Sequence, residues 1–211
     1  MFRLSRTSVV ACIAAGAAIA GLAYVLAAVA VPPASAEEKA KGADEKAKAP
    51  LLEFTADGKL NQPVGYRKWV YIGEVVTPND MNNGEATFPE FHAIYMDPES
   101  FAEYEKTGKF RDGTVLVKEL SSVGSKKATS GNGYFQGTFT GLEASIKDSK
   151  RFKDEPGNWA YFDWGHKTPL QAAVSKNAAA ACNQCHQNSA KTDWVFSQYY
   201  PVLRAAAPKS K

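Results

Sequence analysis

Through the middle of the chain, apolar and aromatic residues fall into short runs separated by Gly, Asn, Asp and Pro. "YRKWVYIGEVV" (Tyr66 to Val76) is rich in aromatic and β-branched residues and predicts a strand. "EFHAIYM" (Glu90 to Met96) predicts a second, with His92 on the face of Ile94 and Met96. "DPESFAEYEKTG" predicts a helix capped by Asp97, with Pro98 in its first turn, Phe101 and Tyr104 on one side and Gly108 as stop. "GTVLVKELSSV" (Gly113 to Val123) is a third strand, and "SKKATSGNG" a loop. "YFQGTFTGLEASIKD" then gives one or two strands bent at Gly137 or Gly141, and "GNWAYFDWG" (Gly157 to Gly165) the last. A helix is expected from Thr168 and Pro169 into "AAAACNQCH", and a closing one over "KTDWVFSQYYPVLRAA", broken before Pro201. Strands first and helices last predict an α+β fold: a mainly antiparallel sheet with C-terminal helices.

Ahead of this pattern, Arg3 and Arg6 precede an apolar run from Thr7 to Val31, and "ASA" at Ala34 to Ala36 is a small-x-small cleavage site. Residues 1–36 are therefore expected to be a signal peptide, or an uncleaved membrane anchor given the length of the run. Either way the remainder is exported, and a periplasmic location is expected, with no membrane contact unless the leader stays. Residues 37–50, "EEKAKGADEKAKAP", read as a charged flexible linker, residues 51–207 as one domain, and 208–211 as a disordered tail. The chain has 25 basic and 22 acidic residues, and the leader holds two of the former and none of the latter. The exported part is close to neutral, so nucleic acid is not an expected partner. Cleavage also removes Cys12, one of three cysteines, and leaves no disulfide framework.

The two remaining cysteines stand in "CNQCH", Cys182 to His186. Cys-x-x-Cys-His is the spacing of covalent haem attachment: two thiols reach the vinyl groups of one porphyrin, and the adjacent imidazole reaches the iron. A structural zinc site needs more ligands than this motif supplies, and a thioredoxin-like dithiol leaves the histidine idle. One haem c per chain is expected, with Cys182 and Cys185 as thioethers and His186 as iron ligand. The motif lies in the last fifth of the chain, whereas small electron-carrying cytochromes are mostly helical with the motif near the N-terminus.

Lys118 is the second informative residue. Alternation puts Leu116, Lys118 and Leu120 on one face, and Val115, Val117 and Glu119 on the other. Both faces are apolar, so one of two adjacent charges enters an environment costly for an unpaired ion. A lysine at a strand end that reaches water is the plain reading; a desolvated lysine that becomes a neutral nucleophile is the other.

Long blocks of the chain resemble the cytochrome P-460 family: "RKWVYIGEVVTPNDMNNG", "YMDPESF", "KTGKFRDGTVLVKELSSVG", "GNGYFQG", "GLEASIKDS", "RFKDEPGNWAYF", "CNQCH" and "AKTDWVFSQYYPVLRAA". The resemblance implies a homodimeric periplasmic haem protein that oxidises hydroxylamine to nitrous oxide or nitric oxide and passes electrons to a soluble c-type cytochrome. It also implies a covalent bond from a lysine to a meso carbon of the porphyrin, and Lys118 occupies that position. The related β-sheet cytochromes called c′-beta share the fold, lack this bond and bind nitric oxide. A non-catalytic gas binder of that kind, or a plain electron carrier, is the alternative, and Lys118 discriminates.

Oxidation of hydroxylamine needs a proton acceptor near an open iron position. His92 is the first candidate and Glu143, in "TGLEASI", the second; "SKNAAAA" before the haem motif offers no carboxylate. Met81, Met96 and His166 are the side chains that could close the sixth position in an electron carrier.

Overall fold

The computed structural model describes residues 51–209. The expected leader, the linker 37–50 and the last two residues of the expected tail lie outside the described residues. The strands are β1 (Leu60–Asn61), β2 (Val70–Val76), β3 (Phe91–Met96), β4 (Val115–Val123), β5 (Lys127–Ala128), β6 (Gly131–Asn132), β7 (Gln136–Lys147), β8 (Trp159–Asp163) and β9 (Ala173–Val174). The helices are α1 (Pro98–Thr107), α2 (Ala179–Ser189) and α3 (Pro201–Ala206). A five-stranded antiparallel sheet in the order β2-β3-β4-β7-β8 is the framework, as the α+β expectation required. Among the described residues no helix is long and apolar enough to cross a membrane.

β4 sits at the centre of the sheet and is buried on both faces, as its unbroken apolar run predicted. Val115 and Val117 join Leu142, Ala144, Phe162 and Trp164 in one core. Leu116 joins Ile94, Met96, Tyr161 and Trp159 in another, closed by Tyr104 of α1 and Leu203 of α3. Each such side chain contributes about 1.5–3 kcal/mol by leaving water. The second core is the face that carries the site.

Helix α1 follows its sequence signals. Asp97 accepts from Ser100 N at 2.8 Å, Pro98 opens the first turn, and Gly108 ends the helix at φ 68°. β7 is one strand, and its ladder with β4 shifts register beside Thr140, next to Gly141. A Cβ on Gly141 would stand 2.5 Å from the Gly165 carbonyl oxygen, so the bend requires glycine.

Three expectations are corrected. Tyr66–Lys68 is a 3-10 turn, and β2 begins at Val70. No helix starts at Thr168: the Thr168–Pro169 bond is cis, β9 pairs with β1, and α2 starts only at Ala179. Long-range bonds hold that segment extended, Gln171 N to Trp164 O at 3.0 Å and Gln62 N to Ala172 O at 3.2 Å, while Val174 enters the core. Residues 191–196 form a turn rather than a helix, with Thr192 bridged to Val195; a 3-10 turn at Ser197–Tyr199 and then α3 follow. The break before Pro201 stands as expected.

Candidate functional site

Helix α2 is set against the sheet by Asn183, which is buried and donates to the Trp159 carbonyl at 2.9 Å. Cys182 and His186 line the cleft between this helix and the sheet. Cys182 is half-buried beside Asn177, 3.5 Å from its Nδ2, and burial pushes its thiol pKa up. Cys185, one turn along, is exposed. His186 Nδ1 lies 2.7 Å from the Trp194 carbonyl, to which it donates, and this leaves Nε2 as the free nitrogen. The rings of Tyr161 and Phe196 flank it at 4.5 and 4.6 Å, and burial lowers its pKa.

The Trp194 carbonyl reaches His186 from a turn in which Asp193 and Trp194 have φ 44° and 61°. The Trp194 ring packs over Gly157, where a Cβ would stand 2.6 Å from it. Gly157 is itself at φ 62°, so both close approach and backbone call for glycine there.

Between α2 and the sheet lies a partly open cleft. Cys182 and His186 form one wall, Lys118 and Glu143 part of the other, with Ile94, Tyr161 and Phe196 between them. Register explains the second wall. Ile94 pairs with Lys118, Lys118 with Glu143, and Glu143 with Asp163, so one cross-strand row carries all four on the same face. Glu119 points to the opposite face and bonds Tyr66 Oη at 2.5 Å and Arg67 Nε at 2.6 Å.

Lys118 is neither at the strand end nor without a counter-charge. Its Nζ lies 2.5 Å from Glu143 Oε2 and 4.9 Å from the centre of the Phe88 ring. The expectation of a lysine stripped of compensation is corrected: a carboxylate meets it. Glu143 Oε1 in turn accepts from His166 Nε2 at 3.1 Å. Burial alone would raise the Glu143 carboxyl, but the His166 hydrogen bond and the Lys118 charge outweigh it and hold it below the usual range. His166 also lies 3.4 Å from Asp163 and 3.6 Å from Glu90. Its hydrogen bond to Glu143 drives its pKa up to about 9, with support from the charges of Asp163 and Glu90. The ligand atoms of Glu143, Asp163 and His166 lie within 4.8 Å of one another, a spacing open to a cation, but Lys118 and His166 already supply the positive charge.

His92 lies one cross-strand row beyond Lys118, opposite Leu120, with Phe88 edge-on at 5.9 Å. Its Nε2 is buried without a hydrogen-bond partner among the described residues, 4.0 Å from Glu90 Oε2. Burial, aided by the Lys118 charge, lowers its pKa to about 4. His92 is thus a neutral imidazole set back from the cleft wall, and Glu143 is the acid on the wall. Met81 is exposed and Met96 is in the core; neither, nor His166, lines the cleft.

Sequence reasoning brought out Lys118, Glu143, Cys182 and His186, which the fold gathers around one cleft, and Cys185, which stands exposed on the same helix. It missed Glu90, Asp163, Phe88 and the Trp194 carbonyl. Asp163 carried a signal, since it ends the strand "WAYFD" with His166 three residues on; the others had none.

The residues fit a porphyrin. Cys182 lines a cleft walled by aromatic and aliphatic side chains, Cys185 stands exposed one helical turn along, and His186 keeps a nitrogen free. Tyr161 Oη and Trp194 Nε1 are buried on the same cleft without a hydrogen-bond partner among the described residues. Such a helix and cleft fit the class of haem proteins. Residues 63–197, more than half of the chain, match the family model described as Cytochrome P460, and the chain belongs to that family. It is a haem protein of this family, which is associated with haem-dependent hydroxylamine oxidation. No protein of curated function matches the chain.

Proposed function

We propose that this chain is an exported enzyme that oxidises hydroxylamine on a haem c bonded through Cys182 and Cys185, with His186 as iron ligand and Lys118 bonded to the porphyrin edge. The observation that carries this reading is Lys118 Nζ and Glu143 Oε2 meeting, 2.5 Å apart, on the wall of the cleft that Cys182 and His186 also line. A gas binder has no use for a lysine there, whereas a lysine destined for the porphyrin edge must be at that wall.

The haem, when bound, supplies electron uptake and an iron position for the substrate nitrogen. The protein's residues supply the rest. The Trp194 carbonyl fixes the His186 tautomer and aims its free nitrogen. Glu143 has two uses. As a carboxylate beside Lys118 it holds the ammonium at the cleft wall, and bond formation there would require loss of that proton to solvent and an external two-electron oxidant. Afterwards it stands free to accept protons from substrate. His92, neutral and unpartnered, is the secondary acceptor behind it. The electrons go to a soluble c-type cytochrome. The protein works in the periplasm as a homodimer, with its leader removed after Ala36. The products are nitrous oxide, nitric oxide or both.

The test is the absorption spectrum of the ferrous protein together with hydroxylamine turnover. A strongly red-shifted Soret band with turnover supports the enzyme; an ordinary c-type spectrum with nitric oxide binding and no turnover rejects it.

A further inference from the structure

His166 joins two cavities. Glu143 lines the cleft of Cys182 and His186. Glu90 lines a second, open cavity, walled also by Asp80, Ser122, Lys126 and Thr140. His166 stands between the two acids, Nε2 3.1 Å from Glu143 Oε1 and Nδ1 3.6 Å from Glu90 Oε1. Glu90 Oε2 and Thr140 Oγ1, both in residues of the second cavity's wall, are buried without a hydrogen-bond partner among the described residues. Buried polar atoms left unpaired are costly, and a polar cavity roomy enough for water is where they are satisfied.

We propose that Glu143, His166 and Glu90 form the path by which protons removed from the substrate leave the cleft for the second cavity. The inference rests on the proposed hydroxylamine oxidation. When nitric oxide is the product, all three hydrogens of hydroxylamine leave as protons, with three electrons that go to the c-type cytochrome. The electrons have an acceptor; the protons need their own route to water.

The path works by exchange of partners. Glu143 takes a substrate proton and loses the negative charge that holds the proton on His166. The His166 Nδ1 proton then passes to Glu90, which releases it to water in the second cavity. The ring then rotates to bring the bare Nδ1 to Glu143, takes up the carboxyl proton and restores both charges with its two nitrogens exchanged. One proton enters, one leaves, and no electron moves. Asp163, 3.4 Å from Nε2, is a positioning residue that keeps the ring charged between turnovers. Lys118 and His92 face the same cluster from β4 and β3.

The experiment uses the haem-loaded full-length protein with hydroxylamine and a soluble c-type cytochrome as acceptor. Glu90→Gln and His166→Ala are expected to lower kcat on the order of 10- to 100-fold, the range positioned acid–base groups supply. KM and cyanide affinity should stay within about two-fold, because neither residue lines the cleft. The solvent deuterium isotope effect on kcat should rise in both variants, and Glu90→Asp should recover most of the loss. Unchanged kcat in both variants, or a loss with no change in isotope effect, overturns the path. Histidine NMR on the diamagnetic ferrous carbon monoxide complex reads the connection without turnover. His166 should titrate lower in Glu90→Gln and in Glu143→Gln than in the wild type, and identical titration in all three also overturns the path. If His166 is coupled to both acids while the wild type fails to oxidise hydroxylamine, the proposed activity is what fails.

Discussion

Lys118 and Glu143 pair across β4 and β7, with Nζ 2.5 Å from Oε2, and a single hydrogen bond continues from Glu143 to His166. A change at any of the three therefore reaches the other two. Lys118 is the member whose loss separates an enzyme from a gas binder.

Lys118→Leu and Lys118→Arg should fold and carry haem, since α2 and its anchor Asn183 are untouched. Their ferrous Soret band should sit at an ordinary c-type position, and hydroxylamine oxidation should fall by on the order of 100-fold or more while nitric oxide still binds. Arg fails with Leu because it stays charged. Glu119→Gln is the control: its partners Tyr66 and Arg67 lie on the opposite face, and the unusual spectrum should remain. A Lys118→Leu protein that keeps both band and turnover would falsify the cross-link.

Attachment is read on a denaturing gel stained for haem. In the Lys118→Leu background, where no lysine bond can hold the haem, the protein should stain because thioethers survive unfolding, and adding Cys182→Ala and Cys185→Ala should abolish the stain. Stain that persists after both cysteines and Lys118 are replaced would place the bond elsewhere.

The sixth iron position should be open. Ferric protein should be high-spin and bind cyanide, and Met81→Ala should change neither property, because Met81 is exposed in the loop before β3. Met96 is fully buried in the core. Met96→Ala should therefore destabilise by about 2–5 kcal/mol without changing spin state. A low-spin resting spectrum in the wild type contradicts the geometry.

Stability should peak near neutral pH because of two histidines that titrate in opposite senses. His166 faces Glu143, Asp163 and Glu90, and its pKa rises from 6.5 to about 9. Its contribution is complete below pH 6.5 and is lost as pH climbs through about 9. His92, buried and facing Lys118, Glu143, Glu90 and His166, drops from 6.5 to about 4. Its contribution is complete above pH 6.5 and is lost as pH falls through about 4. Urea midpoints across this range should show both limbs. His166→Ala should flatten the alkaline limb and His92→Ala the acid one, and limbs unchanged in both variants would refute the assignment.

Asp97 is fully buried and its two oxygens accept from Ser100 N and Val115 N, each at 2.8 Å. It thereby ties the start of α1 to the start of β4, the strand that carries Lys118. Asp97→Ala should lower stability by about 2–4 kcal/mol, from the lost cap and the orphaned donors. Asp97→Asn, which keeps one acceptor, should lose less. Equal losses in the two would show that charge rather than hydrogen bonding matters there, as Arg111 at 3.4 Å allows.

Features that depend on a few neighbouring residues were legible in the sequence. Cys182, Cys185 and His186 act through spacing along one helical turn, and Asp97, Pro98 and Gly108 bound a helix through local backbone chemistry. The apolar run around Lys118 marked a strand buried on both faces, because period two is a property of any strand. The partner of Lys118 was not legible, because it depends on which residue of β7 lies opposite, and a one-residue slip would turn Glu143 to the other face. The bulge beside Thr140 and the close approach at Gly141 settle that register, and they form only when β4, β7 and the 165–166 segment meet. For the same reason helix propensity misled at Thr168 to Ala178, where bonds to Trp164 and Gln62 hold the chain extended. The cluster of Glu90, Glu143, Asp163 and His166 draws on residues up to 76 positions apart in sequence. Charges brought together from such distances carry no local signal, and only the folded sheet sets the distances on which their energies depend.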